Sequence, residues 1–365
     1  MRITTAVAAL LLTSTLADHA RPCGAIFPSR TSQNLAIDAQ RALLVVGEDQ
    51  VALHLQLATA SDGEAFSWII PVPGSGGVPT VALGDQAVFD ALDALTTPTV
   101  TVAADEGGGG FGCGSAAKTG DGAPRSGGVQ HFGGGALGDY TYDILAGSDT
   151  AAIQAWLEDH GYLVPEGFEA AITPYTARSK FVAVRLAAGG ADGAVNEPIV
   201  LTWSRPFGET SMGYAFGLSK LSSAPTQPLL LWLLADKRQR VANYGSTQVR
   251  EVAEVMRDRG LDYAGAIDAL TDEAGGRLVT TEFAKDLREI DTPAALAALV
   301  DDASFYLTRL YAEVPREQIE DLVITFAADA PDVEPAVTVS LGGGGALALA
   351  GSFLVLALRR RRGDA

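Results

Sequence analysis

From residue 51 to 58 the chain reads VALHLQLA. In an extended strand Val51, Leu53, Leu55 and Leu57 share one face, with Ala52, His54, Gln56 and Ala58 on the other. A helix cannot satisfy that period of two, so the fold must contain a sheet. Two more runs flank it, ALLVV at 42–46 and FSWIIPV at 66–72. GEDQ between the first two predicts a hairpin turn. Pro71 and Pro73 mark the end of the third strand, because proline donates nothing to a ladder. Further strands are expected at 99–102, 181–187, 198–204, 229–235 and 322–326.

Helical periodicity enters at DQAVFDALDAL, where Val88, Leu92 and Leu95 line one side with Phe89 beside them. SDTAAIQAWLEDHGY is a second helix, capped by Ser148 or Asp149, with Ile153, Trp156 and Leu157 inward and Gly161 as its stop. Residues 246–313 carry repeated helical spacing, including a long helix opened by Thr292 and Pro293. The fold class expected is α+β, with a strand-rich first half and a helix-rich second half. Residues 103–138 hold 14 glycines and almost no large apolar groups, which predicts a flexible excursion. No internal repeat is present.

Both ends depart from this pattern. MRITTAVAALLLTSTLA has a positive start at Arg2, an apolar core at 7–12, and Thr15 and Ala17 at the −3 and −1 positions of a cleavage site. It reads as a signal peptide over 1–17, with an alternative cut after residue 20. At the other end, 341–365 forms a transmembrane or sorting tail. Ala346, Leu347, Leu349, Phe353, Leu354, Leu356 and Leu358 supply the apolar anchor, and Arg359, Arg360, Arg361 and Arg362 hold the cytoplasmic side. The dense apolar run rises only ~20 Å as a helix against a hydrocarbon core of ~30 Å, so the glycines must contribute to a span. Between body and tail, 328–340 reads as an acidic, proline-bearing spacer. The body then divides into a strand-rich α+β domain at 21–245 and a mainly helical segment at 246–327 that packs on it.

A hydrophobic fraction of 47% with 19% charged residues excludes wholesale disorder. The net charge of −18, without a basic patch interleaved with aromatics, excludes nucleic acid as a partner. The membrane, reached through the tail, is the one partner the sequence names; a protein or small-molecule partner is left unidentified. Cys23 and Cys113 are the only cysteines. In an exported chain they are expected to pair, closing a loop of roughly 90 residues for about 4–5 kcal/mol.

The tail is similar to the glycine-rich C-terminal sorting tails of bacterial surface proteins, which join small residues, an apolar helix and an arginine cluster. That resemblance implies cleavage near 342–345 by a membrane protease, although the cysteine some relatives carry in the signature is missing here. FSWIIPVP, VFDALDALTTP, YDILAGSDTAAIQAWLEDHGYLVP and YTARSKFVAVRLA follow in that order behind an early cysteine. Together they resemble the bacterial domain of unknown function 2330 family over 23–244. The resemblance implies export and frequent membrane tethering, and brings no reaction, ligand or catalytic residue.

Motifs of chemistry are weak. Gly107, Gly109 and Gly112 spell GxGxxG, but no helix follows to hold a pyrophosphate. GCGSAAKT at 112–119 nearly spells a phosphate loop, with Ala117 where glycine belongs. No GxSxG occurs; Ser75 in PGSGG reads as a turn. Of the four histidines, His19 lies at the signal junction and His131 in the glycine excursion. His54 is expected to face solvent or be partly paired, and His160 to complement a helix C-terminus. No HxH or HExxH spacing is present, and no metal or cofactor is expected. Asp301/Asp302 and Glu320/Asp321, on or near helices, read as solvated faces, and Trp68, Trp156, Trp203 and Trp232 as core. The role expected is a non-enzymatic, membrane-tethered envelope protein, binding or structural. The alternatives are an exported hydrolase with unidentified catalytic residues, and an accessory subunit that uses the helical segment as its interface.

Overall fold

In a computed structural model the chain is described over residues 25–30, 37–59, 65–103, 130–146, 149–186, 197–205, 211–221, 225–327 and 330–340. The expected signal peptide, Cys23, Cys113, the apolar run 346–358 and the four arginines lie outside these residues. Among the described residues no helix is long and apolar enough to cross a membrane.

Two sheets stacked face to face organise the body. The larger has eight strands: β14 (Gly245–Gln248), β15 (Leu278–Asp286), β16 (Tyr306–Pro315), β12 (Thr226–Ala235), β2 (Ile37–Val46), β3 (Gln50–Thr59), β10 (Ile199–Ser204) and β5 (Thr80–Leu83), in that spatial order. The smaller runs β1 (Ala25–Pro28), β4 (Phe66–Pro73), β9 (Ser179–Leu186), β8 (Tyr140–Ala146), β7 (Gln130–Leu137). LLLWLLA is apolar on both faces because β12 sits mid-sheet: Leu229, Leu231 and Leu233 point at the smaller sheet, Leu230, Trp232 and Leu234 away from it. Between the sheets, Leu44, Leu53, Leu55, Leu201 and Leu231 meet Trp68, Ile70, Val182 and Val184.

Helices cover both outer faces. The smaller sheet carries α2 (Thr150–Asp159) and α3 (Phe168–Thr176), which bury Ile153, Trp156, Leu157, Phe168 and Ile172 against Ile69, Phe181 and Ala183. The larger sheet carries α1 (Gln86–Thr96), α4 (Val249–Arg259), α5 (Tyr263–Glu273) and the one-turn α6 (Ala294–Ala297). Local chemistry sets the starts of these helices. The side chains of Asp85, Asp149 and Asp262 accept from Ala87, Ala152 and Gly265 N–H, satisfying donors that the first turn leaves without partners. Gly161, at φ +82°, follows α2 in the left-handed region that glycine tolerates best. A small sheet of β11 (Ser211–Tyr214), β17 (Leu322–Phe326) and β13 (Gln239–Val241) closes part of the sandwich.

Several expectations are corrected. The helix-rich stretch 246–327 keeps α4 and α5, but 278–286 and 306–315 are the antiparallel strands β15 and β16. Burial overrode helical spacing there, since β15 lies between β14 and β16 and is inaccessible from Leu278 to Ala284. The helix expected after Thr292 is only α6. Within the glycine excursion, 130–137 is β7, paired with β8. β4 runs through Pro71 to Pro73, its ladder with β9 continuing to Pro73 opposite Ser179.

The acidic spacer is also corrected. Residues 330–340 are docked on the body. Val333 and Ala284 exchange both backbone hydrogen bonds, at 2.9 and 3.0 Å. Arg238 reaches the Pro331 carbonyl, Tyr306 donates to Asp332, and Lys285 pairs with Glu334. Then β18 (Ala336–Ser340) pairs in parallel with β6 (Thr99–Ala103), and Val333, Val337 and Val339 are buried against α4 and α5.

Candidate functional site

Three places in the body could do chemistry or bind. The first is a buried charge network between the larger sheet and its helices. A register shift between Thr281 and Phe283 leaves Glu282 as the extra residue of a bulge, and a bulge re-aims a side chain. Glu282, 2% exposed, accepts from Arg309 Nε at 2.7 Å and from the Tyr263 hydroxyl at 2.6 Å. Burial, then the Glu282 charge, pushes the Tyr263 phenol well above its ordinary pKa, which keeps it a donor. Arg309, 1% exposed, also reaches Thr96 and Thr97 Oγ1 at 3.3 Å and stacks 5.2 Å from the Trp232 ring centroid. Arg41 pairs with Asp93, donates to Gln56 Oε1 at 3.0 Å and to the Phe89 carbonyl at 3.2 Å, and lies over the same indole at 5.6 Å. These groups are spent on one another. The network fixes α1 and α5 on the sheet; Glu282 and Arg309 are buried, and Asp93, 34% exposed, lies at its rim.

His54 belongs to this helix-facing side. It is 8% exposed, not solvent-facing, and its Nδ1 has no partner among the described residues. Burial lowers its pKa to about 4, so the ring is neutral at pH 7.

The second place is a histidine–carboxylate pair on the outer face of the smaller sheet. His131 Nε2 contacts Asp143 Oδ1, and Arg185 donates to the other carboxylate oxygen at 2.6 Å. Gly134 makes this approach possible: a Cβ there would stand 2.8 Å from Asp143 Oδ1 and 3.3 Å from His131 Cε1. Arg185 lies 5.7 Å over Trp156, which stacks on His160 at 4.1 Å. His160 ends α2 as its spacing suggested, with Nδ1 2.7 Å from the Trp156 carbonyl oxygen. No hydroxyl or thiol bonds to His131 among the described residues. Ser67 shares this face, but it is fully buried on β4, three strand spacings or roughly 14 Å from β7. A serine–histidine–aspartate triad is not assembled from these residues.

The third place is a partly open cavity of about 140 Å³ between the two sheets. Leu44, Val51 and Leu53 form its floor, Ile70, Pro71 and Pro73 one wall, Trp203 another, and 211–215 around β11 its roof. Leu44, Val51, Leu53 and Ile70 are buried core residues, while Trp203 is half-buried, unlike Trp68, Trp156 and Trp232. Gly76 lets Trp203 in, because a Cβ there would stand 2.6 Å from Trp203 Cδ1. At Gly213, on the roof, a Cβ would meet nothing within 4 Å. Sequence reading missed this site because it lies where five strands from three sheets converge. The prolines of β4 and the lone tryptophan on β10 were its local signals.

The remaining acidic pairs lie outside the helices, with Asp301, Asp302 and Glu320 exposed and Asp321 half-buried. Asp321 accepts from Gly217 N–H at 2.8 Å and from the Tyr175 hydroxyl, and Glu320 pairs with Arg277 at 2.7 Å. Asp301 caps a turn at Ala303 N–H. Among the described residues no three His, Cys, Asp or Glu side chains gather as a metal site would require.

A family profile described as "Uncharacterized protein conserved in bacteria (DUF2330)" matches residues 17–325. The chain belongs to this family. DUF2330 therefore spans both stacked sheets and their helices, and extends well past residue 244, where the resemblance of the quoted motifs ends. The DUF2330 match thus takes in α4, α5, β15 and β16 with the strand-rich half, as one sheet that crosses residue 245 requires. No curated protein and no solved structure matches the chain.

Proposed function

We propose that this DUF2330 protein is exported, tethered to the envelope by its C-terminal tail, and binds a small apolar molecule between its two sheets without catalysing a reaction. The cavity carries this reading. A dry apolar cavity of roughly 150 Å³ holds a benzene-sized guest, and this one is similar in volume and predominantly apolar in its walls. Binding there needs little reorganisation, because Leu44, Val51, Leu53 and Ile70 are fixed by the sandwich core. Export rests on the N-terminal signal pattern, and tethering on the apolar and arginine-rich tail.

The test uses full-length protein in detergent, titrated with toluene, indole and hexanoate while tryptophan fluorescence and the unfolding temperature are followed. A saturable fluorescence change that disappears in Trp203→Phe, with loss of binding in Gly213→Phe, is the expected result. No saturation with any probe overturns the binding reading. A reporter that works only outside the cytoplasm, fused after Ser340, tests export separately.

A second reading, an exported hydrolase, has the His131–Asp143 pair in its favour. It requires ester or amide turnover that His131→Ala abolishes while leaving the unfolding temperature unchanged. An accessory-subunit role would need a surface other than the apolar sides of α4 and α5, which are spent on β15, β16 and β18.

A further inference from the structure

The docked segment 330–340 has a geometric consequence for how the body stands relative to a membrane. β18 ends at Ser340, in register with Ala103 at the end of β6. The ladder is parallel, so both strands finish at the same place on the body. Anchoring by backbone pairing, by the Val333–Ala284 bonds and by buried Val337 and Val339 leaves no slack before Ser340. At most five residues, LGGGG at 341–345, then separate Ser340 from the apolar run that opens at Ala346, and fewer where the glycines enter the span. The six residue steps from Ser340 to Ala346, at ~3.3–3.6 Å each, span at most roughly 22 Å.

From this reach we infer that the end of the body where β6 and β18 finish is a bilayer-facing surface, held against the lipid headgroups by a very short tether. The inference rests on the proposed tail anchor. The partner is the headgroup layer itself, and the contact is enforced by chain length, not by charge. A body belonging to a chain of net charge −18 is not drawn to anionic lipid, so salt should leave the proximity unchanged.

The experiment places a donor dye on Thr338→Cys, an exposed β18 position, in the full chain reconstituted into phosphatidylcholine vesicles with a headgroup-linked acceptor. A second preparation inserts twenty Gly-Ser residues after Ser340, which adds a coil of roughly 25 Å r.m.s. length. The expected result is strong energy transfer in the first, a several-fold drop in the second, and no response of the first to added salt. The same pair in a Cys23→Ser, Cys113→Ser background guards against labelling of the native thiols. Protein that floats with the vesicles but shows weak transfer, unaltered by the insertion, overturns the surface and leaves the anchor standing. Protein that fails to float overturns the anchor and the surface together.

Discussion

The two faces of the eight-stranded sheet are built on the same strands and solve packing in opposite ways. Toward the smaller sheet, β2 and β12 present Ala42, Leu44, Leu229, Leu231 and Leu233, and the contact is predominantly apolar, with Gln227 buried at one end of β12. Toward the helices, β2 and β16 present Arg41 and Arg309 around Trp232, tied to Asp93, Glu282, Gln56 and Tyr263. An apolar interface tolerates a gap, and one persists as the cavity beside Trp203. A charged interface tolerates less, because sliding α1 by one turn would take Asp93 and the Phe89 carbonyl from Arg41 and the two threonine hydroxyls from Arg309. One face positions by exclusion of water, the other by obligatory pairing.

The sharpest way to break this contrast is Glu282→Leu, which leaves the Arg309 guanidinium buried beside an alkyl chain. A loss of about 3–5 kcal/mol in chemical denaturation is expected. The double variant Glu282→Leu, Arg309→Met should recover most of it, and failure to recover would mean that packing, not charge, governs this face. Next comes pH. The His54 pKa of about 4 in the folded protein lies below the ordinary imidazole value of 6.5. In that window the unfolded chain binds the proton and the folded one does not, so this stability is complete above pH 6.5 and is lost as pH falls toward 4. The full difference is about 3 kcal/mol. His54→Leu should flatten that part of the pH profile measured by urea unfolding. The smallest effects belong to the cavity. Gly76→Ala drives a Cβ against Trp203 and the Ser204 carbonyl and should cost about 1–3 kcal/mol. Gly213→Ala enters open space and should gain about 0.4–1 kcal/mol by stiffening the unfolded chain. Thermal unfolding of the two variants shows whether the roof is as open as the Trp203 wall is closed.

Much of the fold was legible wherever one side chain sufficed to report its surroundings. The alternation through Val51, Leu53 and Leu55, the Asp149 cap, the Gly161 stop and the all-apolar run 229–235 of β12 each announced their element. β15 escaped because LVTTEFAKD spaces its apolar residues ambiguously. The β-branched run Val279, Thr280, Thr281 behind two glycines was the signal to weigh more heavily. The spacer was misread on composition, since acid and proline mark linkers in general but not Val333, Val337 and Val339 inside one. The charge network was out of reach altogether. Arg41, Asp93, Glu282 and Arg309 are scattered over 269 positions, and a bulge that no local pattern marks sets the aim of Glu282. His54 looked exposed because an alternating strand shows which residues share a face, and not what covers it.

The parallel pairing of β18 with β6 has a mechanical consequence. A pull transmitted through the tail acts along β18, in line with its ladder to β6. Loaded in that direction the hydrogen bonds resist together, in shear, instead of opening one after another as a peeled hairpin would. If the cell surface drags on this protein, the grip at Ser340 should outlast a linkage of equal area pulled from its side.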